Sequence, residues 1–165
     1  MAIQINKEHT LVPADSFTPV ALYLRLRDQF PHTFLLESSD YHSRKNSYSY
    51  IGVQSIIDVR ATNAQLLTNI AGQTSTRQFD QLSEVLPEVQ SFIHQFSADD
   101  VVPQGEFEES PFFGATGFDG VQYFEDIKFK SPDHPIPFLR YHFYRFVLVF
   151  DHFKDELHII EHQLN

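Results

Sequence analysis

The residues with the clearest chemical potential sit at one strand-to-loop junction. Glu37, Ser38, Ser39 and Asp40 follow directly on the apolar run Phe34-Leu35-Leu36. Carboxylates and hydroxyls placed where a buried run stops can meet an ammonium group, or can accept hydrogen bonds from nearby backbone amides. The residue types alone favour the second use, a strand end capped by its own side chains. Histidines form the next candidate set: His158 and His162 are four apart, with His142 and His152 nearby. That spacing suits two metal ligands on a helix. This segment reads as strand, where the two would share a face but sit about 13 Å apart, so no metal site is expected. Asp151-His152 could be half of a proton relay, but no activated Ser or Cys motif accompanies it and a hairpin turn is the simpler account. Asp119 and Glu125 flank Tyr123 around a helical turn, and helix capping by Asp119 is simpler than paired-carboxylate catalysis. Gly114, Gly117 and Gly120 match no phosphate-loop or dinucleotide fingerprint. Close backbone packing is their expected use. The phenylalanines at 112, 113, 138, 143 and 146 read as core, because the basic residues of a stacking surface are missing.

The elements that position these residues follow from hydrophobic periodicity. Positions 2–12 alternate enough for an edge strand. Thr18-Pro19 is a helix start, since Thr can cap free amides and Pro loses no needed donor at the first helical position. Val20, Tyr23, Leu24, Leu26 and Phe30 continue that helix until Pro31, which disfavours helical geometry in the residue before it. A short buried strand over 33–38 carries the Glu37 junction. A long strand is predicted over 48–61, with Ile51, Val53, Ser55, Ile57 and Val59 on one face, and Thr62-Asn63 turns the chain into a hairpin partner over 65–71. Residues 72–77 are polar and read as a loop. Helical spacing of Leu82, Val85, Leu86, Val89, Phe92, Ile93 and Phe96 predicts a helix over 80–96, in conflict with Pro87. Either the helix kinks there or the residues before Pro87 form a separate short turn. The acidic stretch 99–110 is a surface linker. A strand is expected over 112–118, a short helix over 119–124, a Pro-rich loop over 127–137, and a strand hairpin over 141–151 and 156–162. Strands and helices mix without a regular βαβ alternation, which predicts an α+β fold of mostly antiparallel sheet with helices outside.

Composition narrows the function classes. The chain has 165 residues, 42% hydrophobic and 15% aromatic, enough for one globular domain with a core, and residues 1–165 are read as one unit. A net charge of −10 argues against a nucleic-acid backbone or an anionic membrane surface as partner. The absence of Cys excludes disulfides and thiolate metal sites and fits a cytoplasmic protein. No apolar run approaches a membrane span or a signal core.

Four segments in order carry a family resemblance. Leu35-Leu36-Glu37-Ser38 followed by Tyr48-Ser49-Tyr50-Ile51-Gly52 resembles the N-terminal region of anthranilate synthase component I. Residues 15–28 (DSFTPVALYLRLRD) look like that family's Thr-Pro-Val helix entry. Residues 112–125 (FFGATGFDGVQYFE) are similar to its glycine-rich strand with Asp-x-Val-x-Tyr-x-Glu, and residues 146–152 (FVLVFDH) look like its late strand. Ser47 departs from the pattern, where many members carry a basic residue.

The resemblance implies an α+β fold of two packed, mostly antiparallel sheets flanked by helices, and a regulatory role. In the family the Leu-Leu-Glu-Ser element helps form the site where tryptophan binds and inhibits. It therefore implies Ser38, Glu37 and Tyr48 as tryptophan contacts, with Glu37 on the ammonium, Ser38 on the amino-acid head group and Tyr48 closing the pocket. The rest of such a site comes from the family's C-terminal catalytic domain, so this chain would hold half of it. None of that domain's chorismate or Mg²⁺ motifs is present, so no catalytic residue and no cofactor is expected here. Mg²⁺, chorismate and ammonia from a glutaminase subunit (component II) belong to the whole enzyme, of which this chain reads as an N-terminal piece. Aminodeoxychorismate synthase component I is the paralogous alternative, disfavoured because that branch more often has Asp at the Glu37 position. A non-catalytic binding domain descended from component I is the non-enzyme alternative.

Overall fold

A computed structural model describes residues 3–37, 47–98, 112–127 and 136–164. The described residues form nine strands in antiparallel pairs wherever their register is defined, with two short α-helices and two 3₁₀ turns. The fold is α+β. The strands are β1 (Ile3–Pro13), β2 (Phe34–Glu37), β3 (Tyr48–Thr62), β4 (Gln65–Ile70), β5 (Gln73–Gln78), β6 (Phe96–Ala98), β7 (Phe112–Thr116), β8 (Leu139–Asp151) and β9 (Glu156–Leu164). The helices are α1 (Pro19–Leu26) and α2 (Val85–Ile93). The chain divides into two compact units, and the residues of β3 and of β8 are shared between them.

The first unit takes in residues 56–96 and 112–143. Here β5, β4 and the second part of β3 are hydrogen-bonded in that order, and β7 pairs with the first part of β8. Inward residues Ile57, Val59, Ala61 and Leu66 are buried with Val85, Val89 and Phe92 of α2. Phe96, Phe112 and Phe143 meet edge to face or tilted, with ring centroids 5.1–5.9 Å apart, as core rings do. The predicted helix over 80–96 resolves at its proline. Leu82–Glu84 form a separate 3₁₀ turn, and Pro87 falls in the first turn of α2, where a missing N–H costs no intrahelical bond. The helix stops at Ile93, and Phe96 begins a strand instead.

Most of residues 72–77, read as a loop, belong to strand β5 (Gln73–Gln78). A turn with Ala71 at φ 49° and Gly72 at φ 89° folds them onto β4. Every residue of β5 is exposed, so its strand character comes from backbone pairing and leaves no hydrophobic alternation to read. The 3₁₀ turn Phe118–Tyr123 replaces the helix expected over 119–124, and its cap is Gly117, not Asp119. Gly114 does the close packing expected of it: a Cβ there would lie 2.0 Å from the carbonyl oxygen of Arg140. Tyr123 is buried, its hydroxyl donates to the carbonyl of Asn63 at 2.9 Å, and burial pushes its pKa up.

The second unit takes in residues 3–55 and 144–165 with the short segment 97–111. Here β8, β9, β1 and β6 are neighbours in that order, and β2 pairs with the first part of β3. β1 is therefore flanked on both sides, not an edge strand. Ile51, Val53, Leu148, Phe150 and Leu157 form the core, and α1 covers it with Leu22, Tyr23 and Leu26. The Thr18 hydroxyl accepts from the amide of Ala21 at 3.2 Å, the cap that Thr-Pro predicts. The helix ends at Leu26, earlier than Pro31 alone would require, and Phe30 still packs on the core through a following turn. Among the described residues no helix is long and apolar enough to cross a membrane.

One packing relation fixes β2. The Phe34 ring occupies the space above Gly52 and lies 4.9 Å from the ring of Tyr144, whose hydroxyl donates to the carbonyl of His32 at 2.6 Å. A Cβ on residue 52 would sit 2.0 Å from Phe34 Cε1 and 2.8 Å from Tyr144 Cδ2. Gly52→Ala should therefore destabilise the fold by about 1–3 kcal/mol, the cost of overpacking, as a lower urea midpoint at unchanged slope. A second expectation concerns pH. Arg145 Nη2 and Nε donate to Glu161 Oε1 at 2.8 and 3.1 Å and hold that carboxyl below its usual range. A lowered carboxylate pKa adds stability above the ordinary Glu value and loses it as pH falls through the lowered one. The stability difference between the native chain and Glu161→Gln should thus be present near neutral pH and shrink in acid, read from urea midpoints across pH.

Candidate ligand site at the end of β2

β2 brings the Glu37 junction to a defined place. Its register on β3 is Phe34 opposite Gly52, Leu35 opposite Ile51, Leu36 opposite Tyr50 and Glu37 opposite Ser49. Side chains alternate across a sheet, so opposite residues share a face. Leu35 and Ile51 pack into the core, which puts Glu37 and Ser49 on that same face at its rim. Phe34, Leu36, Tyr50 and Tyr48 belong to the other face. Glu37 is exposed, and Leu36 is an exposed large apolar side chain beside it, 51% accessible. An exposed carboxylate at a strand end can meet a cationic group, while Leu36 and the half-buried Tyr48 and Tyr50 offer apolar surface on the other face of the sheet.

Glu37 and Tyr48 are thus near neighbours around the strand end, but their side chains belong to opposite faces of the sheet. Ser38, with Ser39 and Asp40, lies outside the described residues.

Two residues that the sequence reading did not assign to the site lie beside it, Ser49 and His152. Ser49 is 1% exposed, and its Oγ is 2.7 Å from Nε2 of His152. The amide of His152 donates to the carbonyl of Ser47 at 3.1 Å. The turn that presents His152 is stabilised by its neighbour: Asp151 Oδ1 accepts from the amides of Phe153 at 2.9 Å and Lys154 at 3.0 Å. The Asp151 carboxylate serves the hairpin turn, as its position after a strand suggested. A signal for Ser49 existed in the sequence. The alternation Ile51, Val53 puts residue 49 on the buried face, and a buried hydroxyl must find a partner.

His158 and His162 serve the sheet interior. His158 stacks on His9 with ring centroids 5.2 Å apart, and His9 Nε2 lies 3.0 Å from His158 Nδ1. His162 is fully buried, and its Nδ1 donates to the carbonyl of Tyr144 at 3.1 Å. Among the described residues no three His, Asp or Glu side chains are grouped to hold a metal ion.

Comparison with known proteins gives this geometry a context. The chain is 30% identical over 152 residues to anthranilate synthase component 1 of Thermus thermophilus, a match that covers 89% of this chain and 30% of that protein. This chain is a homologue of part of anthranilate synthase component I. A solved structure of anthranilate synthase component I from Streptococcus pneumoniae is 26% identical, with a TM-score of 0.48 over 91% of this chain and 31% of that one. No family model matches the chain. The chain spans under a third of the length of the component I proteins it matches.

Proposed function

We propose that this chain is the N-terminal, tryptophan-binding regulatory region of an anthranilate synthase component I. The observation that carries the proposal is Glu37. In a chain homologous to component I, the Leu-Leu-Glu-Ser element ends β2 with its carboxylate exposed beside accessible Leu36. Tryptophan offers an ammonium for such a carboxylate and an indole that would reach around the strand end to the apolar and aromatic surface of Leu36, Tyr48 and Tyr50 on the other face. Ser38 follows directly in the chain and is assigned to the amino-acid head group. Tyr48 borders the ligand from the opposite face of β3.

The whole enzyme would convert chorismate and ammonia, the latter from a glutaminase component II, to anthranilate and pyruvate with Mg²⁺ bound in its catalytic part. Inhibition by tryptophan away from the reaction centre requires that it bind one arrangement of the enzyme better than another. A ligand held jointly by this region and the catalytic part meets that requirement, because separating them breaks its contacts. The chain by itself supplies half the contacts, should bind tryptophan weakly, and should not turn over chorismate.

The test uses the whole enzyme. A hydrogen bond to a charged group contributes about 1.5–3 kcal/mol, so Ser38→Ala or Glu37→Gln should raise the tryptophan needed for half inhibition roughly 10- to 150-fold. Turnover without tryptophan should stay near the native value. If Ser38 and Glu37 only cap a strand end, both variants lose about 1 kcal/mol of stability and the inhibition curves superimpose on the native one.

A further inference from the structure

We infer that His152, on the turn between β8 and β9, is the positioning residue of this site. It fixes the residues on either side of Tyr48 and the strand position opposite Glu37. The inference rests on the proposed function for its ligand but on geometry for its mechanism. One residue makes two bonds to one short segment. Its amide donates to the carbonyl of Ser47, and its ring Nε2 shares a hydrogen bond with the Ser49 hydroxyl. Ser47 and Ser49 flank Tyr48, so the backbone of the first candidate contact on β3 is held from both sides. Ser49 is also the register partner of Glu37, so the same clamp fixes the strand on which the second contact is aligned.

The clamp acts where the β2 pairing ends and adds to the support that β3 has from its neighbour β8. Glu37 is the last residue of β2, so its pair with Ser49 is the terminal pair of a strand of four residues. Terminal pairs open first. The Ser49 hydroxyl, at 1% exposure, must have a partner from the protein, and the ring of His152 supplies it across 103 residues of sequence. The turn that carries His152 is itself held by the Asp151 carboxylate on two amides, so the clamp starts from a hydrogen-bonded turn. A ligand site needs contacts that stay placed to within a fraction of an ångström, and a strand end without such a support does not offer them.

His152→Phe keeps an aromatic ring and the backbone bond but removes the ring nitrogen. His152→Gln retains an amide that can reach the Ser49 hydroxyl. The first readout is amide hydrogen exchange in the chain itself, which requires no ligand. Exchange over residues 47–51 should rise roughly 2- to 12-fold in His152→Phe, the span expected for one net hydrogen bond, and return towards native in His152→Gln. Exchange in β4 and α2 should not change. The second readout is tryptophan inhibition of the whole enzyme, where His152→Phe should weaken inhibition and His152→Gln restore it, at unchanged turnover without tryptophan. Unaltered exchange over 47–51 in His152→Phe, or an equal rise in every strand, overturns the inference. Should the native enzyme not respond to tryptophan at all, the proposed ligand fails, and the exchange result alone then decides whether the clamp exists.

Discussion

The position of the candidate site depends on a side chain that is absent. Because residue 52 is glycine, the Phe34 ring can occupy the space over it and meet Tyr144. That contact sets Phe34 opposite Gly52, and the rest of β2 follows by strict pairing down to Glu37 opposite Ser49. A shift of one residue would move Leu35 out of the core and carry Glu37 with it to the opposite face of the sheet. The placement of a carboxylate at the rim of the second unit is therefore a consequence of packing three residues away. Tyr144 reinforces the same register from the other end, since its hydroxyl holds the carbonyl of His32 just before β2 begins.

Two kinds of bond then shape the site. Hydrophobic packing of Leu35, Ile51 and Val53 with Leu148, Phe150 and Leu157 gives the strand its inner face. Polar bonds finish what packing cannot reach. The Ser49–His152 and Ser47–His152 bonds secure the first residues of β3, where the core has ended and the chain emerges from a polar segment. The site thus stands at the border between a packed core and hydrogen-bonded turns. That is where a protein can offer an exposed charge on a rigid base.

Much of this was legible in the sequence, and the misses have physical causes. The long strand β3 showed itself through Ile51, Val53, Ile57 and Val59, all of which are buried. Thr18-Pro19 marked the start of α1, and Asp151-His152 marked a hairpin turn. Strand β5 was illegible because a fully exposed polar strand carries no period. The end of α2 was misplaced because Phe96 continues the helical spacing while belonging to a strand and an aromatic cluster. At the site, Glu37 could be picked out by type and by family resemblance. Its distance from Tyr48 in terms of sheet faces could not, because it depends on the β2–β3 register and not on either segment alone. The His152 contribution was hidden for the same reason, since it joins positions more than a hundred residues apart.

The central claim is that tryptophan is recognised at the end of β2, and direct mapping of the ligand tests it. Amide and side-chain resonances of the chain should be followed by NMR as tryptophan is added to millimolar levels, where a weak half site still responds. The account predicts shifts confined to Glu37, Ser38, Tyr48 and their strand neighbours, with the same addition of alanine giving smaller shifts because the indole contacts are lost. Shifts centred elsewhere, or none at these residues at saturating tryptophan, would contradict it.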